Sequence, residues 1–68
     1  MRSADAFPIT DRQYRLLRSA LREGYFEHPP RIGVLDLAEM HDVEREEVLA
    51  ELRTGLDAVL RSAFAETR

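Results

Sequence analysis

The chain contains no cysteine and no lysine, and it has only two histidines. Without cysteine there are no disulfides and no thiolate metal sites, which fits a reducing cytoplasm. His28 and His41 stand too far apart to act as paired ligands on one helical face, so no metal or cofactor is expected. No apolar run approaches the ~20 residues that span a bilayer, and Met1 to Pro8 lacks the apolar stretch of a signal peptide. The expectation is a cytoplasmic protein with no membrane segment. No strand-like alternation, internal repeat or low-complexity tract is present. Nucleophile–base pairings and glycine-rich phosphate loops are also missing, and the neighbouring acids Glu46 and Glu47 cannot face each other on a helix. The chain is therefore not read as an enzyme.

What is present is a short, acidic, arginine-only chain. Its 68 residues carry ten arginines against thirteen acids, a net charge of -3. The first 32 residues hold six arginines and four acids, and the remaining 36 hold four arginines and nine acids. An acidic, lysine-free, arginine- and alanine-rich composition suggests a GC-rich genome and a salt-adapted organism. A chain this short buries only about 60% of the surface that its unfolded form exposes. With disulfides and metals excluded, the remaining route to a robust fold is a partner chain.

The sequence pattern predicts a flexible arm over residues 1–8, then one helical domain over 9–65. Thr10 and Gln13 have the spacing of a capping box, and Ile9 and Tyr14 that of a hydrophobic staple. A first helix is expected over about 11–24, with Tyr14, Leu16, Leu17, Ala20 and Leu21 inward and Arg12, Arg15, Arg18 and Arg22 on the opposite side. Gly24 ends it, and Pro29 and Pro30 keep the following segment out of helix. A short second helix over 34–40 starts at Gly33 and turns Val34, Leu37 and Ala38 inward. A tight turn follows at His41-Asp42-Val43, where Asp42 tolerates a left-handed backbone and His41 is expected to be solvated. The third helix, over 44–64, is the longest, with acids at its start that suit the positive end of its dipole. Gly55 in its interior marks a bend or a close helix contact. The fold class is all-α: a three-helix helix-turn-helix bundle with an extended C-terminal helix.

Particular residues add to this spacing. Ile9-Thr10-Asp11-Arg12-Gln13, Gly24-Tyr25-Phe26-Glu27 and a Pro-Arg pair within Pro29-Pro30-Arg31 precede Leu37-Ala38-Glu39, Val43, Val48, Leu52 and Arg53. Together they resemble the helix-turn-helix domain of the haloarchaeal bacterio-opsin-activator family, over about three quarters of the chain. The resemblance implies a DNA-binding transcription regulator whose third helix lies in the major groove, with Tyr25 and Phe26 as a core plug between helices. The chain departs from the family pattern at the start of that helix. Glu44-Arg45-Glu46-Glu47 stands where the family has serine and other small polar residues, Asp42 replaces the turn glycine, and Gly33 replaces a threonine cap.

Two functional readings follow. In the first, Arg45 and Arg53 contact bases, Glu46 accepts from a cytosine amine, and Arg31, Arg12 and Arg15 sit near phosphates of double-stranded DNA. In the second, the outward arc of Glu46, Glu47, Glu51 and Asp57 repels phosphate, and the domain binds a basic protein partner or mimics DNA. High salt softens that repulsion, since the Debye length is only about 3 Å at 1 M. In either reading, Leu49, Leu52, Leu56, Val59 and Ala63 step by three and four residues, as in a coiled-coil seam. The third helix is expected to overhang the first, leaving Leu56, Val59, Leu60, Ala63 and Phe64 to be covered by a second copy in a symmetric homodimer.

Overall fold

The computed structural model describes residues 8–65, and all of the arm expected over 1–8 except Pro8 lies outside them. Three helices follow in order: α1 (Asp11–Glu23), α2 (Val34–His41) and α3 (Arg45–Ala65). No strand occurs among the described residues. The helix ends fall within one residue of the expected ones, which is the ordinary ambiguity of a fraying terminus.

Each end has a local chemical cause. Thr10 Oγ1 accepts the Gln13 amide at 3.1 Å, and Gln13 Oε1 accepts the Thr10 amide at 3.0 Å, so the capping box closes in both directions. Gly24 ends α1 in the left-handed region at φ 91°, sending its N–H back to the Ala20 carbonyl. The Gly24 carbonyl in turn accepts the amides of Glu27 and Arg31, at 3.3 and 2.9 Å. That one residue therefore both stops α1 and folds residues 25–31 back across its end. The His28–Pro29 peptide within this loop is cis.

The helix α2 begins at Gly33, whose amide donates to the Asp36 carboxylate at 2.9 Å. It ends at Asp42, left-handed at φ 55°, whose N–H reaches the Ala38 and Glu39 carbonyls. Asp42, Val43 and Glu44 then form the turn into α3, whose first backbone bond runs from the Val48 amide to the Glu44 carbonyl at 2.9 Å. This break after α2 comes one residue later than expected, because His41 still belongs to the helix. His41 is also not simply solvated: it is half-buried, and its Nε2 lies 2.8 Å from Ser19 Oγ, tying the end of α2 to α1.

The core consists of Leu16 and Ala20 from α1, Leu37 from α2, and Val48 and Leu52 from α3. Leu17, Tyr25, Ile32, Val34, Ala38 and Val43 pack around it. Two expected core positions differ. Leu21 is 70% exposed and Phe26 44%; Phe26 stacks edge-on against Tyr25 at 5.2 Å, and Tyr25 alone reaches the core. Phe26 instead lines an open apolar groove with Leu17, Leu21, Leu56 and Val59, which no neighbouring helix closes.

Gly55 marks a close contact and not a break, since α3 runs through it without interruption. A Cβ there would lie 3.0 Å from Leu17 Cδ1 and 3.1 Å from Gln13 Cβ. The missing side chain lets α3 lie against α1 at the level of Gln13 and Leu17.

Gly24→Ala is expected to destabilise the domain by about 1–3 kcal/mol, because alanine is strained at positive φ. Its Cβ would also meet Arg31 Cβ at 2.8 Å. Thermal unfolding followed by circular dichroism should show a lower midpoint, and an unchanged midpoint would contradict the structural role given to Gly24.

Candidate nucleic-acid interface

The pair α2 and α3, joined across the three-residue turn Asp42–Glu44, forms the helix-turn-helix. On the first turns of α3, Val48 and Leu52 anchor the helix in the core. Running from beside that buried stripe round to the far side of the helix, an arc of Arg45, Leu49, Arg53, Glu46 and Ala50 is exposed. Leu49 belongs to this arc and not to the buried stripe, with 44% of its surface exposed.

The acids of α3 do not all share that arc. Glu47 Oε2 lies 2.6 Å from Arg12 Nη1, and Glu51 Oε2 lies 3.9 Å from the same nitrogen. Glu51 Oε1 also accepts from Gln13 Nε2 at 3.0 Å. The expectation that Glu47 and Glu51 point outward is thus corrected: both are directed at α1. A 100° turn per residue puts positions 47, 51 and 55 on one flank of α3, the flank on which Gly55 admits α1. The Arg12–Glu47 pair is too exposed, at 44% on each side, for its attraction to contribute more than about 1 kcal/mol. Its larger consequence is where it puts negative charge.

The remaining charges fall into two groups. Asp57 is held by Arg61 at 2.9 Å, Arg15 lies 3.7 Å from Asp11, and Arg31 lies 3.4 Å from Glu27. These are exposed pairs one helical turn or four residues apart, which solvent and salt easily exchange. Arg45 and Arg53 have no ion-pair partner among the described residues, and neither do Arg18 and Arg22. The exposed start of α3 therefore presents two uncommitted guanidinium groups, Leu49 between them, and the carboxylates of Glu44 and Glu46.

A second surface lies further along α3, where that helix meets α1 and the loop after it. Leu17 and Leu21 of α1, Phe26 of the loop, and Leu56 and Val59 of α3 line an open apolar groove of about 370 Å³. Beyond it along α3, Leu60, Ala63 and Phe64 are exposed, Phe64 at 68%. The five positions singled out in the sequence thus continue one apolar face. The contributions of Leu21 and Phe26 are not legible in the sequence, because helical periodicity and the aromatic pair both predict burial in the core.

No group of histidine, aspartate and glutamate side chains among the described residues is placed to hold a metal ion. No described helix is long and apolar enough to cross a membrane.

Three helices with a tight turn before a long, partly exposed third helix define the helix-turn-helix class. A family profile described as an HTH DNA binding domain matches residues 9–64, and the chain belongs to that family, the bacterio-opsin-activator type of helix-turn-helix domain. No curated protein and no solved structure matches the chain.

Gln13→Glu tests the link between α1 and α3. The substitution keeps an oxygen to accept the Thr10 amide but sets a carboxylate against Glu51, where the amide now donates. A loss of about 1–2 kcal/mol near neutral pH is expected, partly regained on acidification to about pH 4, where a glutamate takes up a proton. Urea denaturation at both pH values checks this, and equal losses at the two would contradict the contact.

Proposed function

We propose that this domain is a homodimeric, cytoplasmic transcription regulator that lays α3 in the major groove of double-stranded DNA. The observation that carries the reading is the arc of Arg45, Leu49 and Arg53, exposed and uncommitted, while Glu47 and Glu51 are drawn away to α1. Arginine is suited to bidentate contact with guanine O6 and N7, and Glu46 to accepting from a cytosine amine. Arg15 and Arg31, whose present partners are exposed, are free to exchange them for phosphates. Arg12 has a different role: it stays with Glu47 and keeps that carboxylate off the duplex. The overall acidity of the chain fits binding in a salt-rich interior, where screening shortens phosphate repulsion.

Dimerisation is supported by the apolar face that includes Leu56, Val59, Leu60, Ala63 and Phe64. The 21 residues of α3 outnumber the 13 of α1 by eight, about 12 Å of additional helix at 1.5 Å per residue. A second copy covering that length and the groove beside it supplies the apolar burial that a domain of this size lacks. Two-fold symmetry would then set two α3 helices against successive major grooves, about 10 base pairs apart.

Fluorescence-anisotropy titration with random and genomic duplex pools, from 0.1 to 2 M KCl, tests the DNA reading. Saturable, sequence-dependent binding is expected, with Arg45→Ala and Arg53→Ala each costing about 1–3 kcal/mol, or roughly 5- to 150-fold in affinity. A folded protein that binds no duplex at any salt would sink it and turn attention to a basic protein partner. Sedimentation analysis should find a dimer that Leu60→Asp converts to monomer. A monomeric parent at micromolar concentration would overturn the dimer alone.

A further inference from the structure

We infer that Leu49 is a specificity-determining residue that reads the methyl group of a thymine, between guanines contacted by Arg45 and Arg53. This rests on the DNA reading above and deepens it. Leu49 is 44% exposed on the first half of α3, apart from the apolar groove that Leu56 and Val59 help to line. It contributes to neither the core nor that groove, and an alanine would serve the helix equally well. Its neighbours one turn away in each direction are Arg45 and Arg53, neither ion-paired among the described residues.

Four residues along an α-helix advance about 6 Å and rotate about 40° from the starting direction. Arg45, Leu49 and Arg53 therefore form a continuous slanting stripe, cationic at both ends and apolar in the middle. The flanking charges favour an anionic, acceptor-rich partner, which in the major groove means phosphate and guanine O6 and N7. Among the base edges of that groove, one feature is apolar: the C5-methyl of thymine. A leucine held between two guanine-seeking side chains matches a thymine with guanines on either side of it, on either strand. The adjacent Glu46 adds discrimination, since its carboxylate accepts from cytosine and repels the acceptor edge of guanine.

The test uses the full chain and two chemical variants of its own selected site. A duplex is first enriched from a random pool, and each thymine of the enriched half-site is then replaced by deoxyuridine, which removes only the C5-methyl. One thymine per half-site is expected to matter, its replacement weakening binding about 3- to 10-fold, the order expected for burying a methyl group. Leu49→Ala should bind the thymine and uracil duplexes alike, at the level of the uracil complex. Its exposed position leaves the fold intact, which circular dichroism verifies. Indifference to every thymine-to-uracil replacement would overturn the assignment, as would a Leu49→Ala variant that still prefers thymine. Either result leaves DNA binding itself standing, whereas failure to enrich any duplex with folded protein removes both.

Discussion

Gln13 lies where α1 meets α3, and each part of its side chain has a separate task. Its carbonyl oxygen closes the cap at the start of α1, its amide holds Glu51, and its aliphatic carbons lie against the backbone of Gly55. A buried amide that left either end unbonded would cost about 1–3 kcal/mol, a large share of the stability of so small a domain. The second of these bonds requires α3 to turn position 51 toward α1 at the height of Gln13. Gly55 permits that approach and Gln13 selects it. Together with the burial of Val48 and Leu52, this contact orients α3 and so the set of side chains it shows to solvent.

The charge pattern of α3 is the clearest consequence. Read linearly, its first two turns are acidic and ill suited to a polyanion. With the helix in its actual rotation, two of those acids meet an arginine and an amide of α1. The arc left outside then contains as much arginine as the acids nearest to it. Arg12 belongs to the arginine-bearing side of α1, yet its position lets it act on α3 through a carboxylate. This is a small redistribution of charge with no large interaction energy behind it, since exposed ion pairs contribute little. Its effect is to decide which sign of charge the duplex would meet.

The same rotation divides the apolar residues of α3 among three uses. Val48 and Leu52 enter the core, Leu56 and Val59 border the groove against α1, and Leu49 stands outside both. Heptad-like spacing placed all but Val48 in one seam. They do share a face within about 80° at 100° per residue, but α1 and α2 cover only part of it, and different turns of the helix meet different neighbours. Leu21 and Phe26 show the complementary effect, because a helical stripe or an aromatic pair says nothing of how wide the covering surface is.

What the sequence determined by itself is whatever depends on neighbours along the chain. Thr10 with Gln13, Gly24, Gly33 and Asp42 mark the helix ends through bonds spanning a few residues, and these positions were legible from residue chemistry alone. The periodicity of Leu16, Ala20, Leu37, Val48 and Leu52 likewise announced the core, and the motifs from Ile9 to Arg53 announced the family. Tertiary structure alone decided the partners of Glu47 and Glu51, the tie between His41 and Ser19, and the exposure of Leu49 and Phe26. Those outcomes depend on contacts between residues 22 to 38 positions apart, or on the area a neighbouring helix can cover. Spacing along one helix defines a direction for each side chain, but only the packed neighbour decides whether that direction meets water, a carboxylate or another helix.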